Sequence, residues 1–182
     1  LQGTLLPVRA AMEDFSTMAI GAFGAAYFLG FTVGSWRGAG LVQRVGHVRV
    51  FAAMTALASA SPLLHGMWID MLSWCVLRFL SGFCFAILYV VIESWLNETS
   101  TNENRGSVFS IYVLINMTML AAGQQMMMLD DPAVMTLFAL ASVLVSLAAV
   151  PVSLSTAPTP RQLHGDTRLD IRHLYRTSPA GM

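Results

Sequence analysis

A single charge interrupts a long apolar stretch: Arg78 lies within Asp70 to Ile92 and is the only charged residue there after Asp70. A guanidinium at membrane depth costs about 2.5 to 3.5 kcal/mol on insertion scales, so it faces protein or a wet cavity and finds a partner there. Trp74, Arg78, Ser81, Phe85 and Tyr89 fall at i, i+4, i+7, i+11 and i+15, which puts an aromatic and polar stripe on one helical face. Such a face can line a solute pathway. Aromatic stripes also serve as plain packing, and an arginine this close to Asp70 can snorkel to the interface. A later apolar segment contains Asn116, Thr118, Gln124 and Gln125. Amides in lipid need hydrogen-bond partners and so face other helices or a cavity. Asn116 and Gln124, about 80° apart on the helical wheel, are the candidates for solute contact.

These residues suit recognition rather than bond making. The chain has no nucleophile elbow, no HExxH, no GxxxxGK[ST] and no GxGxxG after a strand, so no catalytic residue is assigned. His65 is placed at an outer loop, His47 at an inner one, and His164 and His173 in the tail, without the spacing of a metal site. Cys75 and Cys84 are about 13 Å apart along one helix axis, beyond disulfide reach, and read as packing residues. No cofactor is expected.

The elements that must position these residues are membrane spans. Phe15 to Trp36 is an uncharged run of 22 residues, Val50 to Ile69 one of 20, Gly106 to Leu129 one of 24 and Pro132 to Pro160 one of 29. At about 1.5 Å per residue, roughly 20 residues cross a hydrocarbon core of about 30 Å. With 55% hydrophobic and 11% charged residues, the chain departs from a soluble domain, where about 25% are charged. The expected fold is all-α and integral to the membrane. Its helices are expected at about 15–36, 48–66, 70–92, 106–129 and 133–154, within a bundle over 1–154.

Orientation follows from arginine, since the chain contains no lysine. Arg37, Arg44, Arg49, Arg105, Arg161, Arg168, Arg172 and Arg176 fall on one side of this span order, whereas Arg9 alone faces Glu13, Asp14, Asp70, Asp130 and Asp131. Positive charge is retained in the cytoplasm, so loops 37–49 and 93–106 and the tail are expected inside. Leu1 to Val8 reads as the end of a preceding helix, 155–177 as a cytoplasmic linker and 178–182 as the start of another helix, so a truncated parent is expected. In the first span, Ala22, Ala26, Gly30, Gly34 and Gly38 recur every four residues and form a ridge that lets another helix approach closely. That ridge is either a static contact or a surface on which two helices slide.

Family-like patterns follow in order along the chain. Residues Ala39 to Arg49 resemble the G-x-L-x-D-R-x-G-R-R loop of the major facilitator superfamily, with Leu41, Arg44 and Gly46 in register and Gln43 where the acid would stand. Arg78-Phe79-Leu80-Ser81-Gly82 resembles R-x-x-Q-G with serine for glutamine, and Ala86 matches a small residue further on. Glu93-Ser94-Trp95-Leu96-Asn97 then leads to Arg105-Gly106, and the wording of both this stretch and Gly46 to Phe51 looks most like the bacterial YcaD-like branch.

The resemblance implies the amino-terminal six-helix bundle of a 12-helix carrier, with its first helix mostly missing and its carboxy-terminal half a missing partner. It implies secondary active transport of a small solute by alternating access, proton coupling included among the energy sources, in a bacterial inner membrane. By the same resemblance Arg78 serves solute contact or coupling. Arg44, Arg49, Glu93 and Arg105 serve the inner gate and loop motif, and Gly30, Gly34, Gly38, Gly82 and Ala86 serve helix packing. Expected partners are a solute and the lipid bilayer, not nucleic acid. The alternative is a structural or accessory polytopic membrane protein. A membrane-embedded enzyme would need a His, Asp or Glu cluster at membrane depth, which the expected spans do not supply.

Overall fold

The computed structural model describes residues 1–154. The expected linker at 155–177 and helix start at 178–182, with the tail arginines and histidines, lie outside the described residues. The chain runs through α1 (Gln2–Met12), α2 (Thr17–Val45), α3 (His47–Met67), α4 (Met71–Thr99), α5 (Arg105–Gln125), a 3-10 turn (Met126–Met128) and α6 (Thr136–Ser153). There is no strand among the described residues, and five helices are long and apolar enough to cross a membrane. The fold is that of an all-α membrane protein.

Two helices run well past the expected boundaries. α2 continues to Val45 instead of ending near Trp36, and α4 continues to Thr99 instead of ending at Ile92. A 29-residue helix rises about 43 Å, more than the hydrocarbon requires. Charged residues mark where a span leaves lipid, but they do not end a helix. Arg37, Arg44 and Glu93 therefore stand on helical extensions rather than in loops.

What ends α2 is Gly46, whose φ of 94° and ψ of 151° occupy a region open essentially only to glycine. Its N–H donates to the Val42 carbonyl at 2.8 Å, and α3 begins at the next residue. At the start of α2 the Ser16 hydroxyl accepts from the Ala19 N–H at 3.2 Å. Asp70 caps α4 in the same way, accepting from the Ser73 N–H at 2.9 Å and the Ser73 hydroxyl at 3.0 Å. These bonds, the backbone one foremost, hold the Asp70 carboxyl below its ordinary range.

α4 is the centre of the bundle. α2 packs along one side of it, α3 along another, and α6 lies against α3. α1 touches α2 and α6, while α5 meets the margin of α4, comes close to Leu1 at Gly123, and has no buried residue. The α2–α4 seam is close because small residues face backbone. A Cβ on Gly34 would come within 2.6 Å of the Phe83 carbonyl oxygen and 2.9 Å of Ala86 Cβ, and one on Gly38 within 3.3 Å of Val90. Gly30 and Gly82 are reciprocal: a Cβ on the first would strike the Phe79 carbonyl, one on the second the Tyr27 carbonyl. Dispersion between surfaces this close holds helices together where lipid removes the aqueous driving force.

Two apolar clusters fill the bundle. At the Asp70 end, Leu5, Leu6, Phe23, Trp74, Leu137 and Phe138 pack together; toward the Arg44 end, Val50, Phe51, Met54, Ile87 and Val91 do so. Each end also has its own ties. Arg9 pairs with Glu13 at 2.6 Å and donates to the carbonyls of Pro132, at 3.2 Å, and Ala133, which fastens α1 to the α5–α6 connection. At the opposite end His47 stacks on Trp95, with ring centroids 5.8 Å apart.

Candidate functional site: the Arg78 cleft

Arg78 stands seven residues into α4, about 10 Å along the helix from Met71. Its side chain crosses to α2, where Nε donates to the Phe23 carbonyl at 3.4 Å and the guanidinium carbon lies 4.4 Å from the centroid of the Tyr27 ring. A cation over a tyrosine face is favourable by about 0.5 to 2 kcal/mol, more as the pair is desolvated. No carboxylate comes near: among the described residues the one ion pair is Arg9–Glu13.

The guanidinium borders a cleft of about 530 Å³ between α1, α2 and α4, walled by Phe23, Tyr27, Phe85 and Tyr89 and touched by Leu120 of α5. The walls are continuous across the seam, since Phe31 lies 6.2 Å from both Tyr27 and Tyr89. A volume between about 300 and 1,000 Å³, with mostly apolar lining and one convergent charged group, is what a small-molecule site usually offers.

The stripe on α4 divides in two. Arg78, Phe85 and Tyr89 face the cleft, but Trp74 and Ser81 are fully buried. At about 100° per residue the first three lie near 20° to 60° on the wheel and the other two near 0° and −20°, so a small rotation separates cleft from core. Trp74 packs against Phe15, Phe23 and His65 at centroid distances of 5.3 to 5.6 Å, and its indole N–H donates to the Trp68 carbonyl at 2.7 Å. It is enclosed in the core behind the arginine.

Ser81 joins a buried polar contact between α3 and α4. Its hydroxyl donates to the Leu77 carbonyl at 2.8 Å and lies 2.6 Å from the Ser61 hydroxyl, which therefore donates to it. His65, expected at a loop, is instead enclosed in the last turns of α3, where Nδ1–H donates to the Ser61 carbonyl at 2.7 Å. The helix extends two residues beyond it, and the Trp74 ring covers it.

Asn116 and Gln124 do not reach the cleft. The Asn116 amide donates to the Tyr112 carbonyl of its own helix at 3.1 Å, and Gln124 is exposed. At the other end Arg44, Arg49, Glu93 and Arg105 are all exposed, and among the described residues no ion pair joins any of them. Leu41 is half-buried beside the aliphatic cluster, and Gly46 makes the corner. Gly30, Gly34, Gly38, Gly82 and Ala86 all lie at the α2–α4 seam.

Sequence reasoning missed Tyr27 and Arg9. Tyr27 follows the small-residue ridge by one position, so its proximity to the seam was readable, but its register against Arg78 depends on how closely Gly30 and Gly82 let the helices approach. Arg9 was counted only as a topological charge. There are no groups of His, Cys, Asp and Glu placed to hold a metal ion among the described residues.

Comparison with known proteins agrees with this architecture. The chain is 31% identical over 112 residues to proteins called "Uncharacterized MFS-type transporter YcaD" from Escherichia coli O45:K1 (strain S88 / ExPEC), O81 (strain ED1a) and O6:K15:H31 (strain 536 / UPEC). Each match covers 62% of this chain and 29% of the relative, so less than a third of those proteins is represented. No solved structure matches the chain. These names point to a transporter rather than an enzyme, and the Major Facilitator Superfamily profile matches residues 1–168. With five spanning helices in a glycine-sealed bundle, this multi-pass membrane chain belongs to the major facilitator superfamily.

Proposed function

We propose that this chain forms one half of a secondary active carrier that moves a small solute across the bacterial inner membrane by alternating access. The observation that carries this reading is Arg78: a guanidinium at membrane depth, without a carboxylate partner among the described residues, facing a cleft walled by aromatic rings. A charge is expensive there unless it has a use. Superfamily membership and the relatives named as transporters support the same conclusion. An accessory membrane protein would have no need of that cleft.

In this reading the arginine-rich Arg44 end faces the cytoplasm, as positive charge is retained there, and the Asp70 end faces outward. Glu93 meets Arg44 or Arg49 in the state in which the inner side is shut, so that the pair biases a rocking equilibrium. An ion gradient, protons among the options, supplies the energy.

The test is a solute-uptake screen on the complete protein in vesicles, with and without a proton gradient. Uptake of at least one solute should depend on the protein, and Arg78→Ala should abolish it while membrane insertion is unchanged. Undiminished uptake by that variant removes Arg78 from the mechanism.

A further inference from the structure

We infer that the Arg78 cleft takes a small organic monoanion of the arylcarboxylate type: one carboxylate on a flat apolar body. This deepens the carrier reading and relies on it only for the purpose of the site. Three observations lead to it.

The first is the unspent hydrogen-bonding capacity of the arginine. A guanidinium has five N–H donors in a planar fork, and the only one engaged among the described residues is Nε–H, held by the Phe23 carbonyl. Tyr27 covers one face of the group, which leaves the edge carrying the two terminal nitrogens for a ligand. A carboxylate is the planar acceptor that such an edge binds with two parallel hydrogen bonds.

The second is the sign of the charge. Arg78 is the only charged side chain lining the cleft, and no Asp or Glu borders it among the described residues. An organic cation would meet like charge in a poorly screened site, and a neutral solute would leave the guanidinium uncompensated. An anion completes it.

The third is the wall. Tyr27 lies directly over the guanidinium, and Phe23, Phe85 and Tyr89 line the same cleft, so a ligand held at the arginine edge places its body against aromatic wall. A cleft of about 530 Å³ accommodates a single substituted ring.

The experiment uses three probes of one shape on the complete, detergent-purified protein: benzoate, benzamide and benzylamine, followed by thermal unfolding and by titration calorimetry. Benzoate should stabilise saturably, benzamide much less and benzylamine not at all. Arg78→Gln should weaken benzoate binding roughly ten- to a hundredfold, the range for hydrogen bonds to charged groups, and Arg78→Lys should lie between. Benzylamine binding as tightly as benzoate, no stabilisation by benzoate, or full benzoate affinity in Arg78→Gln would each overturn the proposal. The comparison of probes on the unaltered protein decides even where a variant fails to fold. Flux in vesicles at alkaline pH separates this proposal from the carrier reading. Arg78-dependent benzoate binding without flux of any solute keeps the anion site and removes transport, whereas flux of a solute with which benzoate does not compete does the reverse.

Discussion

α4 and α5 are both apolar enough to span a bilayer, yet α4 lies at the centre of the bundle and α5 at its margin. Nine residues of α4 are buried and none of α5 is. Apolar content does not explain this: both helices are apolar enough to span, and the more apolar of the two, α4, is the one withdrawn from the surface. The difference lies in what each offers a neighbour. α4 presents Gly82 and Ala86 where another backbone can come close, and Ser81 where another hydroxyl can bond. α5 directs its polar groups inward along its own turns: Ser110 bonds to Gly106, Asn116 to Tyr112 and Thr118 to Leu114. In this bundle, small residues and outward-reaching hydrogen bonds decide which helix is central.

Substitutions that remove these features test the contrast. The largest effect is expected from Gly82→Leu, which drives a side chain into the Tyr27 carbonyl at a seam with backbone on both sides. Overpacking of ordinary cores costs about 1 to 3 kcal/mol, and here the obstacle is backbone that cannot swing away, so loss of the monodisperse species in size-exclusion chromatography is expected. A normal elution profile would mean that α2 and α4 can separate freely. Next is Trp74→Ala, which empties a fully enclosed site among Phe15, Phe23 and His65 and should lower stability in a reversible SDS titration by about 3 to 5 kcal/mol. The value would fall well below that range if neighbouring rings collapsed into the space.

Ser81→Ala should cost less, about 0.6 kcal/mol and at most about 1.7, the measured span for interhelical hydrogen bonds in membranes. The same titration would reveal a larger role for the serine pair if the loss were several-fold greater. Smallest of all is Asn116→Ala on α5, whose amide serves only its own helix. Stability should be unchanged within error, and so should benzoate affinity. A clear loss of either would show that the Asn116 amide serves the bundle or the cleft beyond its bond to Tyr112.

Much of this was legible before any coordinates. Long uncharged runs identify spans because hydrocarbon thickness fixes their length, and a four-residue glycine repeat marks a close contact because few other sequences could make one. Arg78 stood out for the same energetic reason that makes it costly. Helix ends were less readable, since Arg37, Arg44 and Glu93 signal water without signalling a break. The division of the α4 stripe was not readable either: Trp74 and Ser81 differ from Arg78 by only about 40° to 60° of wheel angle, within the width of one helical face. Tyr27 was hidden because a cross-helix register is a property of two helices at once. The positions of Asn116 and Gln124 outside the cleft were not readable either, because a polar residue in a span can satisfy itself on its own backbone or remain exposed.

The corner at Gly46 has a mechanical corollary. A 29-residue helix and a 21-residue helix meet there with one residue between them, so the joint contains almost no slack. Between the end of α2, near Arg44, and the first turn of α3, where His47 rests on Trp95 of α4, stands a single pair of torsions. The end of α2 is thus coupled at short range to the start of α3 and, through His47 on Trp95, to α4.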